Sequence, residues 1–321
     1  MSGRPGKRSL RCCMEINEQQ WREELKGMYQ GHIGFNVLMK DYTTLGIGGS
    51  AGLFMTPDDP LSMRNLVAML KKKKMPFFTL GKGSNILVRD EGIDGAVIFT
   101  HAFDRIEVLK EDTNKAELFV EAGVPLQRLV NFCKEQGFAG IEGLTGIPGT
   151  VGGAICCNAG SYGSEMKDLL ISVAIMDADG RLERFKAEGL GFRYRGSDIL
   201  PTDIVLSANL IFKRDEPGAV AKRTDGFFRE KVQSQPVSER SAGCVFRNPE
   251  GTSAGRLMDE AGCKGMRQGD IEVSALHANF FVNRGSGTAS DYLALMESVS
   301  EVVRKKFGIT LEPEIWVIGR A

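Results

Sequence analysis

Gly140–Gly163 reads GIEGLTGIPGTVGGAICCNAGSYG, eight glycines in twenty-four residues. Glycine has no Cβ, loses much backbone entropy on ordering, and weakens both helices and strands. The run is therefore expected to form neither a helix nor an ordinary strand. Its bare backbone suits close approach by a flat cofactor or a phosphate; a tight structural loop is the other reading. Two shorter segments share its character, Leu45-Gly-Ile-Gly-Gly-Ser-Ala51 and Leu80-Gly-Lys-Gly-Ser-Asn85. Neither is a standard nucleotide motif. A Walker loop needs glycine where Pro76 stands, five residues before Gly81. A Rossmann turn should open a helix, whereas the first segment leads into strand-like Leu53-Phe-Met-Thr-Pro57. The second segment still makes an anion cradle, with backbone N–H groups at Gly81 and Gly83 and side-chain donors at Ser84 and Asn85. Two such loops together would hold a pyrophosphate.

Around these loops lies a chain of 321 residues, 42% hydrophobic and 26% charged, enough for two or three domains with their own cores. Lys plus Arg equals Asp plus Glu at 41 each, so no overall positive field gathers nucleic acid or an anionic membrane surface, and a small-molecule partner is expected. Residues 1–14 are basic without the apolar stretch of a signal peptide, and no run reaches membrane-span length. A cytoplasmic protein with a loose amino terminus is expected. Seven cysteines (adjacent pairs Cys12–Cys13 and Cys156–Cys157, plus Cys133, Cys244 and Cys263) form neither a disulfide ladder nor a metal pattern. With only His32, His101 and His277 besides, no metal site is expected.

The element pattern mixes strands and helices without a regular βαβ repeat, which predicts an α+β fold. Helices are expected at residues 21–29, from Asp59-Pro60 onward, from Leu126 to a stop at Gly137, at 253–261 and at 290–307. The last has Thr288 and Asp291 at capping-box spacing and Gly308 as its stop. Short apolar runs at 77–80, 86–88, 96–99, 105–110, 117–121, 171–176, 181–185, 204–213, 271–273, 280–283 and 314–318 read as strands. A polar segment from 214 to 240 reads as a domain boundary. The divisions expected are a loose extension at 1–20, a first subdomain at 21–100, a second at 101–214 and a C-terminal domain at 215–321.

TTLGIGGSA at Thr43–Ala51, LGKGSNILV at Leu80–Val88 and GLTGIPGTVGGAICCNAGSYG at Gly143–Gly163 resemble the UDP-N-acetylenolpyruvoylglucosamine reductase family. The resemblance continues through FRYRGSDI at Phe192–Ile199, SAGCVFRNP at Ser241–Pro249, HANFFVN at His277–Asn283 and LEPEIWVIG at Leu311–Gly319, in the family's order. It implies a two-subdomain FAD-binding fold of the vanillyl-alcohol-oxidase type followed by a substrate domain. It also implies reduction of the enolpyruvyl ether of UDP-N-acetylglucosamine by NADPH through flavin, a step in peptidoglycan synthesis, in a monomer. Some oxidases of this fold attach FAD to a histidine; none lies in the three glycine-rich segments, so FAD is expected to be non-covalent. The cofactor contacts implied are Leu45, Ile47, Gly81, Lys82, Gly83, Ser84, Asn85, Gly146, Pro148, Gly149, Gly152, Gly153 and Ala154.

By the same resemblance Arg195 binds the substrate carboxylate, Glu314 polarises the enolate and Cys244 donates a proton. Taken alone, Arg195 reads as a surface ion pair, Glu314 as a solvated carboxylate and Cys244 as a core thiol. Cys244 departs from the serine usual at that position; a thiol of ordinary pKa about 8.5 keeps the donor role while inviting oxidation and alkylation. Tyr194, Lys231, Asn248 and His277 match positions that contact the UDP-sugar, with Lys231 on a phosphate. No tyrosine stands between Tyr194 and Cys244, as in the shorter form of the family that lacks a tyrosine-bearing substrate loop. Two rivals remain: an FAD oxidase or dehydrogenase of another small substrate on the same fold, and a flavin-binding module without turnover, which has no need of Arg195, Cys244 and Glu314 together.

Overall fold

The computed structural model describes residues 16–320; the Cys12–Cys13 pair and the basic stretch expected to be loose lie outside them. The first helix, Glu18–Leu25, opens on Asn17, whose side chain accepts from Gln20 N. A four-stranded sheet follows in the order Gly31–Leu38, Ser50–Pro57, Ile93–Phe99, Phe77–Leu80, the first pair antiparallel and the others parallel. Alternation along Ser50–Pro57 divides its side chains between two cores: Leu53 and Met55 join Met63, Leu66 and Leu70 of helix Pro60–Lys72, while Phe54 faces Met39, Leu80 and Val97. Asp59 caps that helix, accepting from Leu61 N and Ser62 N.

The second layer is an antiparallel sheet ordered Leu182–Lys186, Leu170–Met176, Ile204–Arg214, Lys115–Glu121, Ile106–Glu111. Helix Leu126–Gln136 packs on it through Leu126, Leu129, Val130 and Cys133 and ends at Gly137, φ 73°. The third sheet, Ser241–Cys244, Phe280–Asn283, Ile271–Val273, Arg267–Gln268, packs with helices Ala254–Glu260 and Ala289–Phe307 around Phe281, Tyr292 and Met258. Thr288 and Asp291 make the expected capping box, and Asp90 from the first layer accepts from Ala289 N at 2.8 Å and Ser290 N at 3.0 Å. The C-terminal strand Trp316–Ile318 returns to pair in parallel with Ile86–Val88. The α+β class expected from the sequence is the one observed.

Two readings of the sequence are corrected. The glycine-rich run does contain a helix, Val151–Cys156, capped by Thr150 Oγ1. Tertiary packing overrides glycine's helical cost here: a Cβ on Gly152 would stand 2.8 Å from Ala122 Cβ, so only glycine lets this turn sit against strand Lys115–Glu121's exit. The polar segment after Arg214 is largely an eighteen-residue helix, Pro217–Ser234. It is tied to the second layer by Arg223, whose Nε and Nη2 donate to the buried Glu142 at 3.0 and 2.7 Å, and by Lys134–Asp225 at 2.6 Å.

Candidate active site

The glycine-rich segments meet. Ser84 Oγ donates to Pro148 O at 2.7 Å, Thr44 N donates to Gly83 O at 3.1 Å, and a Cβ on Gly81 would lie 2.5 Å from Thr150 Oγ1. Protein therefore presses on several of the glycines: a Cβ on Gly81 would collide with Thr150, one on Gly83 with Tyr42 O, and one on Gly152 with Ala122. Gly149 and Gly153 differ. A Cβ on either would have no neighbour nearer than Ser84 Oγ at 3.5 Å or Thr150 Oγ1 at 3.6 Å, respectively. Their backbone, with exposed Pro148 between the cradles and exposed Lys82 at the rim, leaves a bare surface on which a flat ring or a pyrophosphate fits. Leu45 and Ile47 turn their side chains away from this surface. Both side chains are buried in the C-terminal core, and Asn283 Nδ2 donates to Leu45 O at 2.9 Å.

Arg195 occupies a tight turn closed by the Arg193–Gly196 bridge, at φ 56°. Left-handed backbone at a non-glycine residue costs about 1 kcal/mol or more and persists where the surroundings fix it. Here they do: Asn158 Nδ2 donates to Arg193 O at 3.1 Å, Ser197 Oγ to Cys156 O at 2.9 Å, and Arg195 Nη1 to Gly160 O at 2.7 Å. The turn is thus fastened to the end of the glycine-rich run. Glu314 arrives from the C-terminus. Its N–H donates to Val245 O at 2.8 Å, and Asn85 Nδ2 donates to its carbonyl at 3.4 Å. Arg195 Nε then lies 3.1 Å from Glu314 Oε1.

Cys244 ends strand Ser241–Cys244 after Gly243, φ 75°, where the ladder to Phe280–Asn283 shifts register. Burial pushes its thiol up to about 12; the Glu314 carboxylate adds to this, while Arg195 and Lys231 pull the other way. Although its side chain keeps some surface, the thiol is less acidic than the sequence reading supposed. Glu314 is likewise raised, because burial outweighs the opposing charges of Arg195 and Arg247. Lys231, on helix Pro217–Ser234, is buried; desolvation first, then Arg195, lowers it to about 8, and its Nζ donates to Thr145 O at 2.7 Å.

The remaining expected residues divide. Tyr194 stands half exposed with Arg195 Cζ 5.4 Å from its ring centre. Asn248 Oδ1 accepts from Ala254 N at 3.1 Å, bracing a helix, and His277 Nδ1 accepts from Asn279 N at 3.2 Å, with burial lowering the imidazole. The hydrogen bonds of both stay within the C-terminal layer among the described residues. Thr150 and Arg247 are at the site without having been singled out. The former is an N-cap hidden among glycines, and the latter lies inside SAGCVFRNP with its charge acting on Glu314.

No helix among the described residues is long and apolar enough to cross a membrane, and no group of three or more His, Cys, Asp or Glu there is arranged to hold a metal.

A family model described as an FAD binding domain matches residues 51–186, and one described as the C-terminal domain of UDP-N-acetylenolpyruvoylglucosamine reductase matches residues 235–318. Fold and site thus define a flavin-dependent oxidoreductase. The reductase of Geobacter sulfurreducens is 39% identical over 300 residues, covering 92% of this chain and 97% of its own. That of Clostridium novyi is 36% identical over 285 residues, covering 88% and 91%. The crystal structure of the Thermus caldophilus enzyme superposes with a TM-score of 0.77 at 37% identity, over 90% of this chain and 99% of that one. The chain belongs to the UDP-N-acetylenolpyruvoylglucosamine reductase family.

Proposed function

We propose that this protein reduces the enolpyruvyl ether of UDP-N-acetylglucosamine to UDP-N-acetylmuramate in peptidoglycan precursor synthesis, with NADPH as reductant and FAD held non-covalently. The observation that carries this reading is the Arg195–Glu314 pair at 3.1 Å, with Glu314 N bonded to the carbonyl of Val245 next to Cys244, beside the paired glycine cradles. Residues 81–85 and 146–154 would hold FAD. Bound FAD supplies hydride, taken from NADPH, to C3 of the enolpyruvyl group.

Every further task falls to side chains. Hydride at C3 places negative charge on C2 and the carboxylate as an enolate, and C2 then needs a proton. Arg195, with its planar fork of donors, takes the carboxylate. That anion competes with Glu314 for the guanidinium and brings a second negative charge beside it, so the already raised Glu314 carboxyl is driven to its protonated form. Protonated, it donates to the enolate oxygen. Cys244 gives its proton to C2: the S–H bond breaks, the C2–H bond forms, and the thiolate, flanked by Arg195 and Lys231, regains a proton from water. Lys231, Tyr194, Asn248 and His277 hold the UDP-sugar.

The test is to purify the protein with its flavin and follow NADPH oxidation with and without the UDP-enolpyruvyl sugar. Substrate-dependent oxidation with UDP-N-acetylmuramate as product is expected; flavin-loaded protein that shows none overturns the reading.

A further inference from the structure

Glu314 has a second guanidinium beside it. Residues 245–247 run antiparallel to residues 312–314: Glu314 N donates to Val245 O at 2.8 Å, Arg247 N donates to Glu312 O at 2.8 Å, and Phe246 bridges Pro313 between them. This short ladder fixes Arg247 opposite Glu312, two residues along from Glu314 and on the same face of the ladder. Arg247 Nε is nevertheless buried from water with no hydrogen-bond acceptor. A buried donor left unmet is costly, and more so when charged, so native proteins tolerate few.

Among the described residues five buried side-chain polar atoms are in this state, and two of them are Nε of Arg195, 3.1 Å from Glu314 Oε1, and Nε of Arg247, on the ladder that carries Glu314. The charges of both arginines act on Glu314, and both act on Cys157, whose sulfur lies 4.0 Å from Asn85 Nδ2 at the edge of the cradle. Alternation along the ladder puts the Arg247 side chain on the face that also carries Glu314. Two unfilled arginine donors around one carboxyl-bearing residue call for an acceptor with several lone pairs. A carboxylate has about four such sites and takes two arginines at once.

We propose that Arg247 is a substrate-binding residue, closing with Arg195 a two-guanidinium clamp on the carboxylate of the substrate. This rests on the function proposed above and adds to it the residue that shares the carboxylate's charge. A single arginine released from Glu314 would have to hold the substrate carboxylate and steady the growing enolate alone. A second one lets the anion bind while Glu314 remains free to donate. The guanidinium also sets where Glu314 titrates, since its positive charge favours the carboxylate form.

The test compares Arg247→Met and Arg247→Lys in flavin-loaded protein, with flavin content and melting temperature as controls for folding. In Arg247→Met, kcat/KM for the UDP-enolpyruvyl sugar is expected to fall about thirtyfold or more, the scale of a lost charged hydrogen bond. The alkaline limb of kcat, where Glu314 in the complex ionises, is expected to move to higher pH because a cation that favoured the carboxylate is gone. Arg247→Lys keeps the charge without the fork, and should hold the limb near its original pH while recovering only part of kcat/KM. Wild-type kcat/KM in Arg247→Met overturns the clamp. So does an equal loss in both variants with the limb unmoved, which marks Arg247 as structural only. A flavin-loaded wild type inert toward the sugar defeats the proposed function itself, before any variant is made.

Discussion

Arg195 Nε and Glu314 Oε1 lie 3.1 Å apart, yet the N–H is not aligned for a hydrogen bond, and Nε is buried without an acceptor. By distance they are an ion pair; by angle they are not bonded. The angle decides what the pair can do, since a charge-assisted hydrogen bond loses strength steeply off axis. Arg195 is held instead through Nη1 on Gly160 O, by a turn whose left-handed backbone points it inward. The guanidinium is thus aimed before any ligand arrives, and exchanging Glu314 for another carboxylate breaks no well-formed bond.

Glu314→Gln should keep the flavin and the fold while kcat with the UDP-enolpyruvyl sugar falls by about a hundredfold or more, the usual loss when a group facing developing oxyanion charge is weakened. Its stability carries a second signature. Burial raises Glu314, so its contribution to folding is complete below the unfolded value of 4.5 and is lost as pH rises through the folded one. Glutamine does not titrate. Melting curves from pH 4 to pH 8 should show the variant gaining on the wild type as pH rises; a constant difference would remove the raised carboxyl from the argument.

Cys244 should resist alkylation although it lies at the site. With the thiol moved from its ordinary range up to about 12, thiolate at neutral pH is scarcer by about a thousandfold, and iodoacetamide reacts with thiolate alone. Mass spectrometry after timed exposure at pH 7 measures this directly; modification as fast as a free thiol contradicts it. Cys244→Ala should lower kcat by about a hundredfold to ten-thousandfold, the range for losing a general acid, while Cys244→Ser, which keeps a donor, should stay far closer to wild type.

Lys231 predicts an alkaline limb of another kind. Desolvation brings it to about 8, so in the free enzyme its positive charge is present below that pH and lost above it. The limb belongs in kcat/KM, which reports free-enzyme groups, rather than in kcat. Lys231→Met should remove the limb and lower kcat/KM at pH 7 by about tenfold to a hundredfold, as expected for one charged contact to a phosphate. A limb that survives the substitution assigns it elsewhere.

Much of the frame was legible because its signals are local. Asp59, Thr288 with Asp291, Gly137 and Gly308 each start or stop a helix where the sequence places them, since a cap acts within one turn. Helix Pro217–Ser234 was hidden because its buried positions are Val220, Thr224 and Lys231: the helical spacing is there, but two of the three are polar. Strand Gly31–Leu38 was missed because it is an edge with its residues exposed or half-buried. Leu45 and Ile47 sit in a motif that looks like a ligand loop, and their apolar side chains instead anchor the loop in the C-terminal core. That Arg247 and Glu314 share one face depends on a long-range ladder that no spacing reveals.

Gly152 and Gly153, adjacent in helix Val151–Cys156, separate the two reasons for glycine in the run. Both would favour the helix as alanine, by about 1 kcal/mol each if nothing else intervened. At Gly152 something does: the new Cβ would meet Ala122 Cβ at 2.8 Å and Ala122 O at 3.2 Å in a fully packed layer. Overpacking of that kind costs about 1–3 kcal/mol, so Gly152→Ala should melt earlier with or without flavin. At Gly153 the new Cβ meets only Thr150 Oγ1 at 3.6 Å and points to the exposed side. Flavin-free Gly153→Ala should therefore melt at least as high as flavin-free wild type, while binding FAD more weakly because a methyl group now stands on the bare backbone. Flavin content after purification and titration of the flavin-free protein with FAD decide the matter. A Gly153→Ala protein with full flavin and unchanged affinity would mean that this glycine, like Gly152, is present for the protein's own packing, and the cofactor surface would shrink to Pro148, Gly149 and the 81–85 cradle.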